Sequence, residues 1–315
     1  MNILVTGGAG FIGSNIADAL LDLGHKVFVV DSLSTGKKEN INPNAVFYEV
    51  DITHKKILES VFKETHPEIV FHVAAQIDVR KSVENPQFDA EVNIIGSLNV
   101  FELSVKYGVK RIVFSSTGGA LYGEPKLLPA KEDSPIESLS SYGVSKFASE
   151  QYLNYFNRLY GLEKVILRYG NVYGPRQDPL GEAGVIAIFT GRILNGKPPV
   201  IYGDGNQTRD YIFVEDVVKA NILAMEGKEG IYNVGTGIET SVNDLVKMFS
   251  KVLNKHIEPI YGPPRKGEVQ RISLDISKAR EELGFIPEFS LENGIRKTIK
   301  WFDHSVRKFG RDKDE

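Results

Sequence analysis

The feature that most constrains this chain is a turn of closely spaced glycines near its start. An apolar run over residues 3–6 leads into Thr6-Gly7-Gly8-Ala9-Gly10-Phe11-Ile12-Gly13, and a helical pattern over 11–23 follows. Glycines at 7, 10 and 13 permit positive φ, let another group approach the backbone closely and let the helix pack tightly on the strand. The first N–H groups of that helix are unpaired, and the helix dipole there favours an anion such as a pyrophosphate. Asp31 lies eighteen residues beyond Gly13, at the end of the next apolar run. A carboxylate there can accept hydrogen bonds from both hydroxyls of a ribose. Together these elements imply a bound dinucleotide touching Gly7, Gly10, Phe11, Ile12, Gly13 and Asp31. Because Asp31 would repel a 2′-phosphate, the reading is NAD rather than NADP, although Lys37 and Lys38 lie nearby to meet a phosphate. Asp51, with Ile52 beside it, ends the third apolar run and is a candidate partner for the adenine amino group. It suits a helix N-cap equally well.

The same alternation continues. Mostly apolar, β-branched runs at 3–6, 26–31, 46–50, 69–73 and 111–115 read as strands buried on both faces. Helical patterns at 11–23, 55–64 and 88–107 separate them, and a helix over 142–160 leads to a sixth strand over 164–169. This pattern implies an α/β fold with a doubly wound parallel (Rossmann) sheet. Beyond Gly170 the elements shorten and Gly and Pro recur. Helices are expected near 215–225, 242–253 and 291–309, and a strand at 231–234. Residues 1–170, with 211–236 returning to them, read as the dinucleotide domain. Residues 171–210 and 237–315 read as a second, smaller substrate-binding lobe.

Composition narrows the function classes. The 315 residues are 42% hydrophobic and 25% charged, enough for a sizeable core. A net charge of −3 argues against binding nucleic acid, which normally needs a basic excess or stripe. There is no cysteine, so disulfides, thiolate metal sites and a cysteine nucleophile are excluded; no metal is expected. No apolar run approaches the ~20 residues that span a bilayer, and the apolar strand at the start leaves no room for a signal peptide. The expectation is a soluble cytoplasmic protein.

Tyr142-Gly-Val-Ser-Lys146 is a Tyr-x-x-x-Lys pair, but that spacing also occurs at Tyr122/Lys126 and Tyr160/Lys164. Pro125 disfavours a helix in the first of these, and Gly161 follows Tyr160 at a helix end. Only Tyr142 opens a long helix, which puts Lys146 on the same face one turn later. A tyrosine with pKa ~10 is a poor base at neutral pH. An ammonium ~5 Å away, at an effective dielectric of ~20, favours the phenolate by roughly 3 kcal/mol, or about two pKa units. The positive charge of oxidised nicotinamide pushes the same way, and together they would bring the phenol towards the operating pH of a general base. Ser115-Ser116-Thr117 follows the fifth strand at the sheet end where the cofactor is expected. A hydroxyl there can bond a substrate alcohol and share its proton with Tyr142. Thr117 is the first choice and Ser116 the second, each open to the alternative of satisfying backbone.

Taken together, these residues resemble the extended short-chain dehydrogenase/reductase superfamily, and within it most closely the UDP-glucose 4-epimerases. The resemblance runs through TGGAGFIGS (6–14), VDSLSTG (30–36), HVAAQIDVRKSVENP (72–86), FSSTGGALYGE (114–124), YGVSK (142–146), RYGNVYGPRQ (168–177), QTRDYIFVEDV (207–217) and PPRKGEV (263–269). It implies that Ala74, Ala75 and Gln76 line the nicotinamide side, that Asn93 and Ser115 contact the cofactor, and that Lys146 also holds its ribose. It further implies a UDP-hexose substrate contacted by Ser116, Thr117, Asn171, Tyr202, Arg209, Arg265 and Glu268. Arg209 and Arg265 would meet the diphosphate and Glu268 the uridine ribose. Tyr142 would remove the C4 hydroxyl proton during a C4 epimerisation through a transient 4-keto sugar. Similar enzymes are homodimers that pair the helices corresponding to 88–107 and 142–160.

Neighbouring activities share the fold: UDP-N-acetylhexosamine and UDP-glucuronate 4-epimerases, decarboxylases and 4,6-dehydratases. Dehydratases of similar fold carry an Asp-Glu pair where this chain has Gly118-Gly119, which points to epimerisation. A dinucleotide-sensing protein without catalysis is the reading from another class, and an intact Tyr142, Lys146 and Thr117 speaks against it. Ile272, just past the Arg265–Glu268 segment, is expected to border the sugar pocket.

Overall fold

The structure is a computed structural model that describes residues 1–179, 184–265 and 269–309. Strands β1 (Asn2–Thr6), β2 (Lys26–Asp31), β3 (Val46–Glu49), β4 (Ile69–His72), β5 (Arg111–Thr117) and β6 (Glu163–Tyr169) appear where the apolar runs predict them. Shorter strands follow: β7 (Asn171–Tyr173), β8 (Val200–Tyr202), β9 (Thr208–Arg209), β10 (Tyr211–Phe213), β11 (Gly230–Val234), β12 (Thr240–Ser241) and β13 (Ile260–Gly262). The helices are α1 (Phe11–Asp22), α2 (Lys55–Thr65), α3 (Val79–Glu84), α4 (Pro86–Ala90), α5 (Ser97–Lys106), α6 (Gly118–Leu121) and α7 (Ser141–Tyr160). They continue with α8 (Val185–Leu194), α9 (Val214–Ala224), α10 (Val242–Leu253), α11 (Ser277–Leu283) and α12 (Leu291–Phe309).

Seven strands form one parallel sheet in the order β11-β6-β5-β4-β1-β2-β3. The chain steps outward from β1 to β3, then returns to β4 on the other side of β1. That reversal opens a crevice beyond the carboxyl ends of β1 and β4, where ligands bind in open α/β sheets. Alternating residues divide the core between two faces. Ile3 and Val5 pack with Ile16, Leu20 and Phe285 on one, while Leu4 packs with Phe62, Phe101, Phe114 and Phe156 on the other. A third cluster joins Tyr173, Ile186, Phe189, Phe213, Phe249 and Ile295, and Phe11 of the glycine turn packs against it.

Three departures from the sequence expectation matter for the site. Strand β5 runs two residues further than its apolar run, pairing Ser116 with Arg168 and Thr117 with Tyr169. The single helix expected over 88–107 is broken: α4 starts at Pro86 behind an Asn85 cap, and residues Glu91–Gly96 form a π-helical segment before α5. The wider turn frees the Asn93 carbonyl, which accepts from Ser97 at 2.5 Å and from Ser149 at 2.7 Å. Helix α8, for which the sequence reading assigns no element, buries Ile186, Ala187 and Phe189.

Candidate active site

The glycine turn has the geometry that close approach requires. Gly7 sits at φ +70°, and a Cβ there would lie 2.7 Å from the Ala74 nitrogen. A Cβ at Gly13 would lie 2.2 Å from the Gly7 carbonyl oxygen, so α1 seats on the turn only with glycine. Helix α1 begins at Phe11 without a capping side chain or a first-turn acid, and its first i→i−4 bond is donated by Ser14. The N–H groups of Phe11, Ile12 and Gly13 thus stand at a positive helix end, which suits a diphosphate.

Asp31 ends β2 and holds this turn in shape. Its Oδ2 accepts from Ala9 N at 2.9 Å and its Oδ1 from Leu33 N at 2.8 Å. Burial pushes its carboxyl above the usual range, and the backbone N–H groups of Leu33 and Ala9 pull it back. Each oxygen keeps a lone pair for a ribose hydroxyl. Lys37 pairs with Asp178 at 2.9 Å, so it already has an anionic partner other than a cofactor phosphate. Asp51 is not an N-cap: His54 occupies that position of α2, and Asp51 Oδ1 accepts from the Thr53 backbone and hydroxyl at 2.8 and 2.7 Å. Ile52 is buried and lies against Gly96. These residues fit a dinucleotide.

After β4 the chain passes through Ala74, Ala75 and Gln76 without regular structure. Ala74 N donates to Thr6 Oγ1. Gln76 is locked to Asn93 by two bonds, its N–H to Asn93 Oδ1 at 2.8 Å and its carbonyl from Asn93 Nδ2 at 3.0 Å. Asn93 Nδ2 also reaches Ser145, tying this segment to α7.

Helix α7 starts behind a Ser140 cap, and a Cβ at Gly143 would lie 2.6 Å from the Ala120 carbonyl. Glycine there lets the Tyr142 turn press onto α6, whose N-cap is Thr117. Lys146 is buried, with Nζ 4.2 Å from the Phe114 ring centroid. Burial lowers its pKa to about 8, against the opposing pull of Glu150 and Asp89. The Tyr142 phenol is pushed up, by burial first and the Asp89 carboxylate second. Lys146 and the positive charge of oxidised nicotinamide are expected together to bring the phenol down. In the free protein desolvation wins, so the added positive charge has to come from oxidised nicotinamide. The other two Tyr-x-x-x-Lys pairs are structural: Tyr122 is buried with its hydroxyl on Asn233, and Tyr160 ends α7 before a left-handed Gly161.

The three hydroxyls of β5 have different partners. Ser115 pairs with the Tyr169 hydroxyl at 3.0 Å, and Ser116 donates to Glu150 at 2.5 Å. Thr117 accepts from Ala120 N at 3.2 Å, which uses a lone pair and leaves its proton to give. Glu150 is held in turn by Arg168, through Nε at 3.0 Å and Nη2 at 2.7 Å. Sequence reasoning missed this buried pair. The signals were a charge inside the apolar strand KVILRY and a carboxylate one turn beyond Lys146. A Cβ on Gly119 would lie 3.3 Å from Asn171 Oδ1 and 4.0 Å from Thr117 Oγ1, which puts those atoms round one small space. Asn171 Oδ1 is buried and has no hydrogen-bond partner. Gly118 faces elsewhere, with the Leu274 side chain 2.6 Å from where its Cβ would be.

Further out, Tyr202 is 38% exposed rather than core, and the Arg265 guanidinium lies 4.0 Å from its ring centroid. Arg209 stands half-buried in β9. Glu268 lies outside the described residues. Ile272 is 1% exposed and packs with Tyr122, Ala130 and Leu274, so it belongs to the floor beneath the site and does not border a pocket. Among the described residues no cluster of His, Asp or Glu could hold a metal ion, and no helix is long and apolar enough to cross a membrane.

The chain is similar to known proteins over most of its length. Residues 3–235 match the sequence model of the NAD dependent epimerase/dehydratase family. The UDP-glucose 4-epimerase of Mycolicibacterium smegmatis is 44% identical over 96% of this chain and 98% of its own. A crystal structure of the UDP-glucose 4-epimerase of Thermotoga maritima with UDP-glucose superposes with a TM-score of 0.95 at 52% identity, covering 97% of this chain and 100% of that one. The UDP-glucose 4-epimerase of Thermus thermophilus in complex with NAD gives 0.93 at 46% identity, over 97% and 100%. With its glycine turn, its Asp31 and its match over residues 3–235, the chain belongs to the NAD dependent epimerase/dehydratase family.

Proposed function

We propose that the protein interconverts UDP-glucose and UDP-galactose by inverting the sugar at C4, with NAD held in the site throughout. The observation that carries this reading is the space beside Gly119, bordered by the Thr117 hydroxyl and by the partnerless buried Asn171 Oδ1. A lone buried acceptor costs about 1–3 kcal/mol unless a ligand donates to it, and a sugar hydroxyl does so. Identity of 52% to an enzyme crystallised with UDP-glucose favours the same substrate pair.

NAD supplies the hydride chemistry at C4. Gly7, Gly10, Phe11, Ile12 and Gly13 receive its diphosphate, Asp31 a ribose, and Asp51 and Ile52 the adenine end. Ala74, Ala75, Gln76, Asn93 and Ser115 frame the nicotinamide side. Tyr142 takes the C4 hydroxyl proton and later returns it. Thr117 donates to the same oxygen, and Lys146 both steers the nicotinamide ribose and favours the phenolate. Arg209 and Arg265 hold the diphosphate as bidentate donors while the sugar turns, and Tyr202 stacks near the base. Residues 1–170 with 211–236 serve the dinucleotide; 171–210 and 237–315 serve the nucleotide sugar.

A homodimer is part of the proposal. Val144, Tyr152, Tyr155 and Leu159 are exposed along one side of α7, and Phe88 and Ile95 are exposed on the neighbouring 86–106 segment. Apolar side chains at such helical spacing suit a helix-pair interface. Light scattering after gel filtration checks it: Tyr155→Glu with Leu159→Glu should give a monomer. A cytoplasmic location completes the proposal, supported by the absence of cysteine.

The function is tested by separate incubations with UDP-glucose, UDP-N-acetylglucosamine and UDP-glucuronate and identification of each product. UDP-galactose from the first supports the proposal, whereas turnover of the other two alone sinks it. Released cofactor from denatured protein should be NAD; a dominant NADP content would overturn the role given to Asp31.

A further inference from the structure

We propose that residues 174–178 form a strap that retains the dinucleotide, fastened on either side of the glycine turn by the ion pairs Arg176–Asp18 and Lys37–Asp178. The inference rests on the reading that the turn holds NAD.

The loop after β2 folds back on that turn. Lys37 N and Asn40 Nδ2 both donate to the Ala9 carbonyl at 3.0 Å, and Asn42 Nδ2 donates to Asp18 Oδ1 at 2.8 Å. Ala9 N in turn donates to Asp31, so Lys37 is anchored beside the ribose carboxylate and Asp18 lies on α1 just beyond the turn. The segment after β7 reaches both. Arg176 Nη2 lies 2.6 Å from Asp18 Oδ2, and Lys37 Nζ lies 2.9 Å from Asp178 Oδ2.

The backbone between these contacts is held in an unusual shape. Gly174 has φ +150°, with the Val214 side chain 2.6 Å from where a Cβ would stand, and Arg176 has φ +73°. Left-handed φ is rare for a long side chain and persists only where the surroundings fix it. Gln177 Nε2 contributes by donating to the Val172 carbonyl at 3.2 Å. Arg176 Nη1 is buried without a hydrogen-bond partner, so the Asp18 contact, not a saturated network, positions the guanidinium.

Function gives the arrangement a reason. A C4 epimerisation regenerates its cofactor in every cycle, so release serves no step. A dinucleotide leaving past the glycine turn meets a segment fixed at two points. The Arg176–Asp18 pair is about one-quarter exposed and the Lys37–Asp178 pair about two-fifths, so the first should resist salt better than the second.

The test is exchange of bound NAD against excess isotope-labelled NAD in the purified holoenzyme, which reads retention without reference to turnover. Arg176→Gln should exchange about tenfold faster than the parent and Lys37→Gln about threefold faster. High potassium chloride should accelerate the parent more than Lys37→Gln. The swap Lys37→Asp with Asp178→Lys should return exchange to within twofold of the parent, which a merely structural role would not give. If Arg176→Gln does not fold, the exposed Lys37 variants carry the test alone. Exchange within twofold of the parent in folded variants that contain NAD overturns the strap. Parent protein that binds no dinucleotide overturns the cofactor reading itself, and the strap with it.

Discussion

Ser116 Oγ donates to Glu150 Oε1 at 2.5 Å, within the short range of hydrogen bonds to a carboxylate. Both residues are buried, and Glu150 is itself forked by Arg168. The contact commits the Ser116 proton to the protein interior. The Thr117 hydroxyl, next along β5, spends only a lone pair on the α6 cap, so its proton remains available to donate.

The two hydroxyls should therefore fail differently. Thr117→Val is expected to lower kcat about a hundredfold with a small stability loss from the missing cap. Ser116→Ala should keep kcat within a few fold but lose roughly 1–2 kcal/mol of stability, because a buried carboxylate oxygen loses a donor. Steady-state kinetics and denaturant unfolding of both variants check this. The opposite assignment of losses would move the catalytic role to Ser116.

Tyr142→Phe removes the proposed proton carrier and almost no packing. Turnover should fall by at least about a thousandfold while the Kd for UDP-sugar changes less than about threefold. Calorimetric titration alongside the kinetics separates the two. Near-parental turnover is the outcome that removes Tyr142 from the mechanism.

Lys146 links catalysis to stability. Its folded pKa is lowered from 10.5 to about 8, so the unfolded chain binds more protons between those values. Stability of the cofactor-free protein should thus rise as pH increases from about 8 to 10.5, and below pH 8 the buried ammonium carries its full cost. Lys146→Met should stabilise that form at pH 7 by up to roughly 3 kcal/mol, while abolishing most activity. Unfolding curves at pH 7 and pH 10 decide it; an unstabilised variant would mean that the ammonium finds compensation in the site.

His72 supplies a change at the acid side. It is fully buried between Thr6 Oγ1 at 2.7 Å and Ser97 Oγ at 2.9 Å, and burial, helped by Lys146, lowers its pKa to about 3. The unfolded histidine takes a proton near pH 6.5 and the folded one does not, so stability present above 6.5 is lost as pH falls towards 3. Between pH 8 and pH 5 this amounts to about 2 kcal/mol. The same decline should be absent in His72→Gln, whose amide can still pair with a hydroxyl; equal slopes for the two proteins would refute the assignment.

Much of this architecture was legible because it rests on periodicity and on glycine. The central strands, the turn at 7–13, Asp31 and the Tyr142 helix all follow from patterns that local sterics and apolar burial impose, whereas β3, read as buried on both faces, is a partly exposed edge strand. What stayed hidden depends on contacts between distant segments. A charge inside an apolar strand signals that Arg168 needs a partner, but nothing local announces that the partner is Glu150, or that residues 91–96 widen into a π segment to free the Asn93 carbonyl. Ile272 misled because adjacency to a binding segment says nothing about which way the side chain packs. Helical spacing puts Lys146 on the same face as Tyr142 but says nothing of the desolvation that raises the phenol in the free protein.

Reaction type is the last expectation, and the loop after Thr117 decides it. Loss of water from C5 and C6 requires a base for the C5 proton and an acid for the departing hydroxyl. Gly118 and Gly119 provide neither, and their geometry separates their tasks. Gly118 makes room for Leu274, whereas Gly119 leaves open the space bordered by Thr117 Oγ1 and Asn171 Oδ1. The next carboxylate along the chain, Glu124, accepts from the Gln270 backbone and is engaged there. On the proposed function, a sugar oxidised at C4 beside Gly119 would meet the Thr117 hydroxyl and the Asn171 amide oxygen. Turnover of UDP-glucose in deuterated water, read by NMR, should yield UDP-galactose with no deuterium at C5. A 4-keto-6-deoxy product carrying solvent deuterium at C5 would show that another group supplies the base and would rule out simple epimerisation. Gly119→Asp provides a complementary measurement. Its side chain would enter the space beside Asn171 Oδ1, so turnover should fall about a hundredfold or more through exclusion of the sugar, with KM rising as well as kcat falling.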